Sequence, residues 1–322
     1  MRRLIVIGIV LGIGGMAVGW GWPWVRREVA LATAPEKRPH PTLSPRARGA
    51  ERLFWVSLEN AQYERLPEVL RELTAAYYEN PAQPKIALSL GLAHLWRLAE
   101  RERLPRPDPR ITEHAVLAEK FLTEAARLAP DDGRIPGFLG SAQLAVARIH
   151  ADERHKRRGY FTLRDALTRY PEFNYFAAGY ALSRLPRSEP RYQEALGYMW
   201  KTFEICRGVK KEDVDAGALL ATSHAGPAHG VCTNMPQAPH GLEGFVLNMG
   251  DMLVKNGEIE RAQKIYAFAR TSSGYAQWKH KAVLERHAAT AVERAAAFAG
   301  PAAGQPAMMI ESRLSCVGCH EK

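Results

Sequence analysis

No run of residues in this 322-residue chain alternates polar and apolar side chains in the manner of a β-strand. Nor does it contain a phosphate-cradling glycine loop, a paired-carboxylate motif or a nucleophile set beside a base, so nothing marks it as an enzyme. Lys and Arg outnumber Asp and Glu by 44 to 34, a formal charge of +10. Such an excess favours acidic partners or anionic lipid. The basic residues are scattered along helical segments and alternate with Glu, without a basic strip studded with aromatics, so nucleic acid is not an expected partner. Against these absences stand 46% hydrophobic residues, enough for a buried core. Ala, Leu, Glu and Arg dominate, and apolar residues recur at spacings of three and four. The fold class expected is all-α.

Charge is absent from Leu4 to Val25, a stretch of Ile, Val, Leu, Gly and Trp that follows Met1-Arg2-Arg3. Its length suits a membrane span, with Trp20, Trp22 and Trp24 where aromatic rings settle at the lipid boundary. Residues 1–25 are therefore expected to form a transmembrane anchor. A cleaved leader ending at Ala32-Thr33-Ala34 fits less well, because Arg26, Arg27 and Glu28 separate that site from the apolar stretch. Residues 26–50, with Pro35, Pro39, Pro41 and Pro45, read as an extended linker. Counting basic residues on the two flanks would put the main body inside the cell. The cysteine chemistry considered below points instead to a bacterial inner-membrane protein with its body in the periplasm.

Residues 51–298 carry the helical pattern, in windows that look repeated. In one, Met249-Gly250 precedes a turn at Gly257, and Ala262, Tyr266 and Ala269 line a face of the next helix. In a second, Ala118, Leu122 and Ala125 lead to Pro130, and Leu139-Gly140 follows. A third holds Leu163, Ala166 and Pro171. These windows resemble the tetratricopeptide repeat, in which Gly and Ala let paired helices approach and Pro closes the second helix. The resemblance implies four or five degenerate helix pairs and a groove that docks protein partners. Leu90-Gly91 opens a helix whose partner is delayed by the Pro-rich stretch Leu104 to Pro109. Residues 150–158 read as a basic insert. Residues 207–244 read as one long irregular loop, and residues 299–322 as a flexible tail.

Two of the four cysteines close the sequence in Cys316-Val317-Gly318-Cys319-His320. This is the attachment signature of c-type cytochromes. Two thiols add to the haem vinyl groups, and the adjacent imidazole reaches the iron. A zinc site would need more ligands nearby, and a redox dithiol would need a strand-to-helix context. One haem c is expected, on Cys316 and Cys319 with His320 as axial ligand. Only Glu321 and Lys322 follow, whereas small cytochromes c take a second ligand from a long later segment. Candidates for the sixth position are therefore upstream: Met308 and Met309, or His224, His229, Met235 and His240 in the irregular loop. Met308 and Met309 fit equally a role in docking the tail. Cys206 and Cys232 bracket that loop, and on an oxidising side of the membrane a disulfide between them is expected, contributing about 3 kcal/mol.

Together these features suggest a membrane-anchored periplasmic monohaem cytochrome that transfers one electron and docks a redox protein or respiratory-complex subunit through its repeats. The alternative is an interaction scaffold or assembly factor for a respiratory or cytochrome complex, with haem as a structural or sensing element. A gas or redox sensor would need an open or replaceable sixth position.

Overall fold

The computed structural model describes residues 22–35, 37–60, 62–100, 106, 108–215, 242–272, 274–278, 280–301, 305–306 and 308. Contacts divide the chain into two units, Met1–Arg38 and Pro39–Lys322. All regular structure among the described residues is helical, in agreement with the all-α expectation. No helix among them is long and apolar enough to cross a membrane, and most of the proposed anchor, residues 1–21, lies outside them.

In the first unit, α1 spans Trp22–Thr33. Its Trp24, Val29 and Leu31 are exposed. The helix begins within the expected anchor, residues 1–25, and from Arg26 to Thr33 occupies part of the stretch expected as an extended linker. Arg, Glu, Ala and Leu in this stretch are helix formers, and the prolines that suggested extension begin only at Pro35.

The second unit is built from helix pairs: α2 (Pro45–Glu59) with α3 (Leu66–Glu79), α4 (Pro84–Glu100) with α5 (Glu113–Leu128), and α6 (Ile135–His150) with α7 (Glu153–Arg169). Next come α8 (Pro171–Leu182) with α9 (Pro190–Arg207), a short α10 (Lys211–Asp215), and α11 (Leu242–Asn256) with α12 (Ile259–Ala269). Two short helices, α13 (Lys281–Ala289) and α14 (Ala291–Ala299), close the series. From α2 to α8 each pair packs on the next, and the first helices of successive pairs also touch one another. That connectivity is compatible with a stacked helical repeat.

Prolines start these helices as often as they stop them. Pro45, Pro84, Pro171 and Pro190 each occupy the first helical position, where the missing N–H costs nothing. Ser44 caps α2 by accepting from Ala47 N at 3.1 Å, so residues 45–50 belong to the first helix pair and not to an extended linker. Residues 150–158 are likewise no insert. Ala151, in the left-handed conformation, ends α6, and Asp152 caps α7 by accepting from His155 N at 3.0 Å. Within the segment 207–244, expected as one irregular loop, lie α10 and the start of α11 at Leu242; residues 216–241 are outside the described set.

Close approach within four of the five pairs, all but α2 with α3, is set by a glycine. A Cβ on Gly91 would sit 2.7 Å from Leu122 Cγ, one on Gly140 2.7 Å from Leu163 Cγ, and one on Gly179 2.9 Å from Met199 Sδ. On Gly250 it would overlap the ring of Tyr266. The packed side chains form a larger core from Leu163 to Met308 and a smaller one around Phe54, Leu73, Leu90 and Trp96, joined by alanine-rich contacts in between. Because Tyr266 is rigid and fully buried, Gly250→Ala should cost about 2 kcal/mol through overpacking. Gly197→Ala, on an exposed face of α9 with open space around it, should instead gain about 0.5–1 kcal/mol from helix propensity. Urea denaturation of the two variants checks the pair; equal shifts would contradict the close-contact account.

Candidate functional site at the C-terminal end

Helix α11 reads LEGFVLNMGDMLVKN, apolar except for a few residues, among which Asn248, Asp251 and Lys255 are spaced by three and four and fall on one face. That face is buried, and Asp251 is only 2% exposed. A buried carboxylate must be hydrogen-bonded and paired to remain charged. Tyr266 of α12 donates its hydroxyl to Asp251 Oδ1 at 2.6 Å. His287 of α13 places Nδ1 at 2.9 Å from both carboxylate oxygens. Arg294 of α14 brings Nη2 to 3.2 Å from Oδ2. Burial first, then the Asp251 charge, drives the Tyr266 phenol well above its ordinary pKa, so it stays a donor.

Two details of this cluster are unusual. The carboxylate fixes Nδ1 of His287 as the protonated nitrogen, which leaves the Nε2 lone pair free of any hydrogen bond among the described residues. Arg294 Nη2 is close to Asp251 but off the hydrogen-bond direction, and both it and Nε are buried without a hydrogen-bond partner. The guanidinium lies over the ring of Phe298, 5.6 Å from its centre.

Lys255, one turn beyond Asp251, is 2% exposed and donates Nζ to the Ser183 carbonyl at 3.0 Å. It sits 4.9 Å from the ring centre of Tyr192 and 5.7 Å from that of Phe298. Burial, aided by the positive charge of Arg184, pulls its pKa down to about 8.

Residues shortly before the C-terminal cysteine motif also contact this corner. Gln305 donates Nε2 to the carbonyls of Phe298 at 3.0 Å and Gly300 at 2.9 Å. Met308 is buried in the larger core at 7% exposure. Of the residues expected to form a flexible tail, Gln305 and Met308 thus contact the helical body, Met308 eight positions before Cys316. Of the two roles considered for Met308, its burial matches docking. Cys316, Cys319, His320, Met309, His224, His229, Met235, His240 and Cys232 lie outside the described residues. Cys206, in the last turn of α9, is disulfide-bonded, and its partner is outside the described residues.

Protein-family models, curated proteins and solved structures offer no match to this chain. Function must therefore be argued from the site. Among the described residues no three His, Cys, Asp or Glu side chains gather as a metal cage.

A second histidine cluster lies between α4 and α5. His94 and His114 face each other with their Nδ1 atoms 2.7 Å apart, so one must donate and the other accept. His94 stacks on Phe121, with ring centres 5.5 Å apart. Burial, then the neighbouring His114 and Lys120, lowers its pKa to about 3. Burial also lowers that of His114, where Arg97 acts in the same direction and Glu113 opposes.

The pair is therefore neutral in the folded protein. The unfolded chain takes up protons below its ordinary histidine pKa of 6.5, so stability present above pH 6.5 is lost as pH falls toward 3. The loss per bound proton should be about 1.4 kcal/mol per pH unit at most. His94→Gln should flatten the pH dependence of the urea midpoint between pH 6.5 and 4; an unchanged slope would show that His94 does not carry it.

Proposed function

We propose that this protein is a membrane-anchored, periplasmic, monohaem c-type cytochrome whose tetratricopeptide-like helix pairs dock a protein partner. The observation that carries the reading is the Cys316-Val317-Gly318-Cys319-His320 signature, placed eight positions beyond a residue buried in the larger core. The chemistry of the donor set fits a c-type haem: two thiols at the spacing of the vinyl groups and an imidazole directly after them. When bound, the haem would supply a single iron cycling by one electron between ferric and ferrous states.

The chain's own share of that work is positional. Cys316 and Cys319 would hold the macrocycle, His320 would donate to iron, and Gln305 with Met308 would limit how far the haem strays from the helical body. A hydrophobic N-terminal stretch would keep the protein at the membrane. Stacked helix pairs supply an extended surface for a redox protein or a subunit of a respiratory complex.

The stacking of first helices from α2 to α8 also favours a second reading, an interaction scaffold or assembly factor in which haem is structural or sensory. Electron transfer would show as reversible reduction with fast exchange to a soluble cytochrome. A scaffold would bind a peptide or subunit equally well in either redox state.

A pyridine haemochrome spectrum of the full chain, expressed with a cytochrome c maturation system, tests the main reading. A c-type spectrum is expected, lost in a Cys316→Ala, Cys319→Ala double variant. A wild-type protein without covalent haem would overturn it.

A further inference from the structure

We infer that the outward face of α7 is a contact surface for an anionic lipid bilayer, with Arg154, Arg157, Arg158 and Arg164 taking headgroup phosphates and Phe161 entering the layer between them. The inference goes beyond the reading above and does not involve the haem.

Helix α7 carries six Lys and Arg against two acids in 17 residues. Packing fixes its inner face: Gly159, Leu163 and Ala166 are buried, and a Cβ on Gly140 of α6 would meet Leu163 Cγ at 2.7 Å. At roughly 100° per residue, the opposite side falls on Arg154, Arg157, Arg158, Phe161 and Arg164. All five are exposed. Phe161, mid-face, is 62% exposed, and among the described residues it is the only exposed phenylalanine.

A solvated helix face ordinarily neutralises its charges with near neighbours. That is found on the helices joined to α7 by the His155–Glu119 and Tyr160–Glu194 contacts: Arg127 of α5 lies 3.1 Å from Glu124, and Lys201 of α9 lies 3.1 Å from Glu204. On α7 the cations outnumber their acids. Glu153 is shared by Lys156 at 3.4 Å and Arg157 at 3.6 Å, and Arg164 donates to the Tyr160 hydroxyl at 3.1 Å. Arg154 and Arg158 enter no ion pair among the described residues, and Asp165 is the other acid of the helix.

Charge complementarity selects an anionic partner, and the form of the face selects a bilayer. One outward helix side is a ridge, without the desolvated hollow in which a protein partner's anchoring side chains are held. A bilayer accepts a ridge. Guanidinium groups pair with phosphate oxygens, and an aromatic ring among them settles at the boundary of headgroups and acyl chains. About four to eight Lys and Arg on one helix suffice to recruit acidic lipid. The uncharged stretch Leu4–Val25 would hold the chain beside such a surface.

Photocrosslinking of the full chain tests this, in vesicles of phosphatidylcholine alone or with phosphatidylglycerol added. Each carries the matching lipid with a diazirine near the carbonyl end of the acyl chain, and adducts are mapped by mass spectrometry. Peptides of α7 should be labelled only when phosphatidylglycerol is present. Replacing Arg154, Arg157, Arg158 and Arg164 together by Gln should cut this labelling at least about tenfold, and Lys at the same four positions should restore it. Phe161→Ser should lose the acyl-chain adducts. Raising salt to about 0.5 M should give the same loss in wild type, so the test does not depend on a variant folding.

Adducts in residues 1–25 report separately on the proposed anchor. If these form while α7 stays unlabelled, the inference fails and the anchor stands; if α7 alone is labelled, the reverse holds. Equal labelling of α7 in neutral vesicles overturns the inference. So does an α7 that ignores phosphatidylglycerol yet binds a polyglutamate peptide through the four arginines, which would assign the face to an acidic protein.

Discussion

Asp251 is the point on which the C-terminal half depends. It sits in the middle of α11 with almost no exposure, and three partners from three later helices converge on it. A carboxylate at such a position is costly to bury and becomes tolerable only when its lone pairs are filled and its charge is met. The requirement works in both directions: Asp251 needs Tyr266, His287 and Arg294, and those residues fix where α12, α13 and α14 lie. Removing one member of a buried ionic cluster typically costs about 3–5 kcal/mol, since the rest is left charged and unpaired. Through Arg294 and Phe298 the constraint extends to Gln305 and so to the chain approaching the cysteine motif.

Upstream, the architecture depends on close contact and not on charge. Gly91, Gly140 and Gly179 each let a leucine or methionine of the second helix reach the backbone of the first. Where two backbones approach this closely, dispersion contacts are dense, and a single added methyl has nowhere to go. Gly250 belongs to the same series, but there the partner is Tyr266, whose hydroxyl continues to Asp251. The two kinds of constraint thus meet in one side chain. Its ring fills a repeat-type contact, and its hydroxyl serves the polar cluster.

The helical class and the pairing were legible in the sequence because Gly, Ala and large apolar residues recur at spacings that only helices bring together. Ala118, Leu122, Ala125, Leu163 and Ala166 are all buried as those spacings require. Prolines misled the boundaries. Pro45 opens a helix, and the residues before Pro35 form one, so the extended linker shrinks to the stretch between Thr33 and Ser44. Composition could not reveal this, since a proline at the first helical position and a proline in a loop look alike until the cap is seen.

The Asp251 cluster was missed because its members are spread over 43 positions and come together only through tertiary packing. One signal was present. A helix of Phe, Val, Leu and Met with Asp and Lys on the same face is either broken or holds a buried charge. The sequence pointed instead to His224, His229, Met235 and His240 in the segment 207–244, because irregular segments commonly carry function, and these lie outside the described residues.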